Sequence, residues 1–304
     1  MRVLVTGASG AIGSAVCDAL QARGDDVVGL TRDPARAAET NPVVTWHAWH
    51  PASERPPAAA LEGVDGVINL VGENLNQRWT DEVKRRARES RERATKNLVD
   101  AIVATDPRPR VLVSQAAVGY YGNDHGDALL DEDRPPGDDF LADLVVAWEA
   151  AARQAEGSGV RVVRLRTGVL LDQGSGFLKQ LLTPFKLGVG GPVAGGDQYV
   201  PWIHRDDEVA IMLWALDNEA AAGVYNAVAP HPVTNRALSK ALGSVLRRPA
   251  VVPVPRFAVR ALRGPDVAAL ATGSQRVVPR RLVDAGFSFR FPEIEPALRD
   301  LLRR

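Results

Sequence analysis

Short apolar runs rich in β-branched residues alternate along this chain with longer stretches of helical period. Val3-Leu4-Val5, Val27-Val28-Gly29-Leu30, Val43-Val44-Thr45-Trp46, Gly66 to Val71, Val111-Leu112-Val113-Ser114 and Val160 to Leu165 read as strands. Between them, Ala15 to Arg23, Asp81 to about Thr105 and Asp138 to Glu156 read as helices. In the last of these, Phe140, Leu144, Val145 and Trp148 share one apolar face, and Leu98, Ile102 and Val103 mark the buried side of the second. Strand–helix alternation at this spacing predicts an α/β protein built on a doubly wound parallel sheet of Rossmann type.

From about Gly174 the pattern changes. Phe177 to Lys186 predicts a helix, Gly188 to Gly191 and Gly195-Gly196 a flexible stretch, Glu208 to Leu216 a helix, and Val224 to Ala227 a further strand. Thr234 caps a helix to about Leu246. The division expected is a nucleotide-binding domain over residues 1–173, with segments near 197–228 returning to it, and a smaller, interleaved substrate-side region over 174–304. The proline-broken tail from Pro249 packs on the substrate side, and its final helix starts near Glu293.

The first strand leads into glycines at 7, 10 and 13 and then a helix. That order makes a phosphate cradle: backbone N–H groups of Gly7, Ser9, Gly10, Ala11, Ile12 and Gly13 meet a pyrophosphate at the positive end of the helix, where a Cβ obstructs approach. The second strand ends at Thr31-Arg32-Asp33. A guanidinium there suits the 2′-phosphate of NADP(H), with Arg36 as a second contact, whereas Asp33 suits a free ribose 2′-OH. NADP(H) is the cofactor expected. In an open parallel sheet the ligand lies beyond the carboxyl ends of the strands, so Leu70, Val71, Gly72, Glu73, Ser114, Gln115 and Thr167 are expected to line it. His204 sits beside an apolar segment and reads as structural rather than ligand-binding.

Lys plus Arg equals Asp plus Glu at 37 each in 304 residues, so no bulk field favours nucleic acid or an anionic membrane as partner. No metal is expected, the partner expected is a small-molecule substrate, and oligomeric state is left open. The single cysteine, Cys17, falls among apolar residues of the first helix and reads as a buried thiol. The absence of a disulfide, a secretory leader pattern and a long apolar run leads to the expectation of a cytoplasmic protein.

The whole order resembles an extended short-chain dehydrogenase/reductase of the NAD-dependent epimerase/dehydratase superfamily. The resemblance rests on Thr6 to Gly13 and on Trp202-Ile203-His204-Arg205-Asp206-Asp207. A narrower similarity is to its atypical "epimerase family protein" branch. It is carried by Ile68 to Glu73, Arg78-Trp79-Thr80, Ser90-Arg91 with Thr95, Ala117 to Gly122, Phe140-Leu141-Ala142 and Trp148-Glu149. The C-terminal module of unknown function in that branch, at about 249–298, is matched by Pro253 to Phe257, Ser274 to Pro279 and Ala285-Gly286-Phe287. The resemblance implies NADP(H) binding. It also implies a helix bearing a Tyr-x-x-x-Lys proton relay, and here the sequence departs. Four positions after the tyrosines stand Asp124, His125, Ile203 and Ala229, and Ala116 replaces the expected hydroxyl. Two readings follow: an oxidoreductase or epimerase using Tyr121, Tyr120 or Glu73 as its acid/base, or a non-catalytic NADP(H)-binding sensor or interaction protein.

Overall fold

The computed structural model describes residues 1–75, 77–174 and 176–303. Its centre is a seven-stranded parallel sheet made of β1 (Arg2–Thr6), β2 (Asp26–Thr31), β3 (Thr45–Ala48), β4 (Gly66–Asn69), β5 (Val111–Ala117), β6 (Arg161–Thr167) and β7 (Gly223–Ala227). The spatial order is β3-β2-β1-β4-β5-β6-β7, so the chain runs outward from β1 in one direction and then from β4 in the other. The third strand starts at Thr45, not at Val43. Pro42 has no N–H to give to a ladder, and Val43 lies in a turn with 73 % of its surface exposed.

Side chains alternate across the sheet and give it two apolar faces. Val3, Val5, Val113 and Leu165 pack against α1 (Ala11–Ala22) and α7 (Arg205–Asp217) through Val16, Cys17, Leu20, Ile211, Met212 and Ala215. Leu4, Val28, Leu112 and Val162 face Leu98, Val99 and Ile102 of α4 (Ala94–Ala104) and Ala152 of α5 (Phe140–Arg153). Between β2 and β3 lies α2 (Pro34–Thr40), and α3 (Asp81–Arg88) precedes α4. The expected single helix over 81–105 is in fact α3 and α4 joined by a π-helical turn at Glu89–Arg93. Cys17 is buried, and burial pushes its thiol up to about 12, which keeps it unreactive.

A second core draws on α6 (Gly176–Lys186), α8 (Asn235–Leu246) and α12 (Ile294–Arg303), with Leu178, Phe185, Trp202, Leu238, Leu242 and Leu298 at its centre. α9 (Arg256–Arg263), α10 (Pro265–Thr272) and α11 (Arg280–Asp284) complete the tail. The tail reaches back to the sheet: Arg276–Val277 pair with Leu129–Leu130, and Gln275 Nε2 donates to the Val118 carbonyl at 3.2 Å. His204 is the buried N-cap of α7. Its Nδ1 accepts from the Asp206 N–H at 3.0 Å, and its ring stacks on Phe291 with centroids 3.9 Å apart. Among the described residues no helix is long and apolar enough to cross a membrane.

Candidate functional site

The turn after β1 closes tightly because three positions carry no Cβ. Gly7 has φ +62°, and a Cβ on Gly13 would stand 2.2 Å from the Gly7 carbonyl oxygen, so only glycine lets α1 approach the loop. α1 then starts at Gly10 with no side-chain cap and no acidic residue in its first turn. Asp139 caps α5 by accepting from the Ala142 N–H, and Thr234 caps α8 by accepting from Ala237, whereas α1 shares its lack of a side-chain cap with the short tail helices α9, α10 and α11. The first-turn amides of α1, around Ala11 and Ile12, are therefore left for an anionic ligand, as a diphosphate requires. Ser9, Gly10 and Ala11 are exposed on this turn.

At the end of β2, Arg32 is exposed, while the Asp33 carboxylate accepts the Arg36 N–H at 3.1 Å and caps α2. The carboxylate that would compete for a ribose is thus committed to the backbone. Arg32 and Arg36 present their cations to solvent beside the half-buried Thr31. These residues fit the adenosine end of NADP(H).

The strand ends are tied together beneath the site by a buried network. Thr6 Oγ1 donates to Asn69 Oδ1 at 2.7 Å, and Asn69 Nδ2 donates to Thr95 Oγ1 at 3.1 Å and to Ser114 Oγ at 3.2 Å. Trp148 Nε1 donates to Thr95 Oγ1 at 3.1 Å. Ser114 is 1 % exposed, so its side chain belongs to this support and not to the ligand surface expected of it.

Above the network lies a cavity of about 200 Å³. Ile12 of α1, Gln115 to Ala117 of β5, Thr167 and Gly168 at the end of β6, and Leu141, Leu144, Val145 and Trp148 of α5 line it. Leu70, Val71, Gly72 and Glu73 form the adjoining loop, with Leu70 held by its N–H to Thr6 Oγ1 at 3.0 Å. A larger open groove of about 560 Å³ between α1 and α7 is lined by charged Asp18, Arg205, Asp206 and Arg290 and runs along the helices rather than across the strand ends.

None of the three expected acids lines this cavity. Tyr121 is fully buried: its hydroxyl donates to Asn226 Oδ1 at 2.7 Å and accepts from Arg166 Nη1 at 3.2 Å, and Arg166 is held in turn by both oxygens of Glu149. Burial pushes its hydroxyl up to about 12, against the pull of Arg166, the opposite of what a proton donor near neutrality needs. Tyr120 lies edge-on to it with the Arg166 guanidinium 3.3 Å over its ring. Glu73 points its carboxylate at Arg86 and Gln77 on the loop's outer side.

Among the described residues, the one charged side chain that does line the cavity is Arg91, on the π turn. Its Nη2 donates to the Glu73 carbonyl at 3.0 Å, its guanidinium lies over Trp148, and burial lowers its pKa to about 10. The charge run around it reads from sequence as a solvated face. The π turn rotates Arg91 out of that face, and π turns recur at functional sites. Only the Ser90-Arg91 string within the family-like segments pointed to it.

Comparison with known proteins matches residues 3–228 to the NAD dependent epimerase/dehydratase family and residues 254–301 to a domain of unknown function, DUF1731. Epimerase family protein SDR39U1 of Bos taurus is 38 % identical over 99 % of this chain and 100 % of its own length. The chloroplastic SDR39U1 homolog of Arabidopsis thaliana is 37 % identical over 100 % of this chain and 87 % of its own. The crystal structure of human epimerase family protein SDR39U1 with NADPH superposes with a TM-score of 0.90 at 37 % identity, covering 100 % of this chain and 99 % of that one. The chain belongs to the NAD dependent epimerase/dehydratase family, in its epimerase family protein branch with the C-terminal DUF1731 module.

Proposed function

We propose that this protein binds NADP(H) across the carboxyl ends of β1, β2 and β4 to β6 and reduces or oxidises a small carbonyl or alcohol substrate in the cavity beside it. The observation that carries the reading is the uncapped, glycine-cradled start of α1 opening next to that cavity. The human relative crystallised with NADPH supports it. Bound there, the reduced nicotinamide supplies hydride. The protein's own work is positioning and desolvation. Leu141, Leu144, Val145 and Trp148 exclude water, the Gln115 carboxamide offers one donor group and one acceptor to a polar substrate, and Arg91 adds a poorly solvated cation that suits an electron-rich oxygen.

A second reading, binding without turnover, is favoured by one observation: the α5 face toward the cavity is apolar where the superfamily places its Tyr and Lys. A panel of aldehydes, ketones and 2-oxo acids with NADPH, followed by absorbance, separates the two. Oxidation of NADPH that Arg91→Met and Gln115→Leu weaken supports catalysis. No oxidation with any of them, at full NADPH occupancy, supports the binding protein.

A further inference from the structure

Glu208 lies in the first turn of α7, next to Asp206 and Asp207. The structure buries it completely. Its Oε1 receives the Thr167 hydroxyl at 2.7 Å, and its Oε2 has no hydrogen-bond partner among the described residues. Thr167 both lines the cavity and touches this carboxyl, so it links the two.

The charged groups on the elements packed against Glu208 are engaged elsewhere. On α7 itself, Asp207 accepts the backbone N–H groups of Arg290 and Phe291, and Arg205 pairs with Asp172 and Asp206. Asp18 of α1 lies in the open groove. On β6, Arg161 donates to the carbonyls of Ala215, Leu216 and Ala221, while Arg164 and Arg166 pair with Glu149. β4 and β5 carry no charged residue, and His204 Nδ1 accepts from Asp206. With no cation paired to it among the described residues, the carboxyl keeps its proton at neutral pH: burial pushes Glu208 up to about 8, against the opposing effect of the Thr167 hydrogen bond.

We infer that Thr167 and Glu208 are the proton-transfer pair of this site, Thr167 giving its hydroxyl proton to the substrate oxygen and Glu208 replacing it from behind. This rests on the NADP(H)-dependent reading above. In the reductive direction the carbonyl carbon gains hydride and the C=O π pair moves to oxygen. The Thr167 hydroxyl turns from Glu208 to that oxygen and gives it its proton, and the Thr167 Oγ takes in exchange the proton that the neutral Glu208 presents on Oε1, 2.7 Å away. The result is an alcohol, NADP⁺ and a Glu208 carboxylate, which regains its proton from water after the product leaves. A cationic nicotinamide held in the cavity that Thr167 lines would favour the Glu208 carboxylate, which would couple cofactor oxidation state to Glu208 ionisation. Glu208 acts through Thr167 and is the positioning and proton-holding member; Thr167 is the group that touches substrate.

Proton release on cofactor binding tests this without any substrate. Binding of NADP⁺ and of NADPH is measured calorimetrically near pH 8 in two buffers of different ionisation enthalpy. Titration of the 2′-phosphate is common to both cofactors and cancels in their difference. The pair predicts that NADP⁺ releases roughly half a proton more than NADPH, because a half-ionised Glu208 becomes fully ionised beside the cationic ring. Glu208→Gln abolishes the difference. Thr167→Val, which removes the hydrogen bond that favours the carboxylate, shifts the release to higher pH and serves if the Gln variant fails to fold. If both cofactors bind and the difference is zero in the native protein, or survives in Glu208→Gln, the pair is wrong while cofactor binding stands. If neither cofactor binds, the NADP(H) reading falls and takes the pair with it.

Discussion

Replacing Glu208 with Gln keeps the size and the acceptor for the Thr167 hydroxyl but removes the titration. In the folded protein burial moves the carboxyl from 4.5 to about 8. Between those values the folded state holds a proton that the unfolded state has lost, so the unfolded state binds fewer protons and stability falls as pH rises. The contribution is complete below 4.5 and fully lost above about 8. At about 1.4 kcal/mol per unit over roughly 3.5 units, the loss approaches 5 kcal/mol, a large share of a domain's net stability. Glu132 and Asp207 are also raised by burial and tilt the native curve the same way. The difference between native and variant curves isolates Glu208. Urea unfolding across this pH range, with m-values checked for constancy, measures it. The variant gains on the native protein by several kcal/mol from the acid to the alkaline end. Parallel curves would refute the burial argument.

Tyr121→Phe leaves the Asn226 and Arg166 ends of a buried network unsatisfied; it costs about 1–3 kcal/mol in unfolding free energy and leaves NADPH affinity within about twofold. Gly13→Ala sets a methyl against the Gly7 carbonyl. About 3 kcal/mol or more of strain follows, read as a lowered Tm and at least tenfold weaker NADPH binding. Arg91→Met releases the Glu73 carbonyl and the loop beside the cavity; NADPH binding weakens about tenfold in a fluorescence titration while the melting temperature changes little.

The sheet was legible because its strands are buried on both faces and read as apolar runs whatever packs on them. The tight glycine turn into α1 was legible because backbone demands at Gly7 and Gly13 are local. What lay beyond local pattern was which polar side chains face inward. Tyr121 follows β5 as a site tyrosine should, but the one-turn 3₁₀ helix at Val118–Tyr121 sends it into the core to meet Asn226 of β7, more than a hundred residues later. Ser114, in the middle of β5, turns its hydroxyl to Asn69 rather than to the cavity. Arg91 depends on a π turn that no hydrophobic period reveals. Glu208 looks like a surface charge until α1 and the sheet close over it. Each of these is decided by long-range packing.

Whether the α1 start and Arg32 together hold NADP(H) is read from the pair of dissociation constants for NADPH and NADH, by fluorescence titration of the native protein and of Arg32→Asp. A guanidinium on the 2′-phosphate is worth roughly 1.5–3 kcal/mol, so NADPH binds at least about tenfold more tightly than NADH, and Arg32→Asp erases or reverses the preference. Equal affinities in the native protein, or a preference unchanged in the variant, would contradict the account.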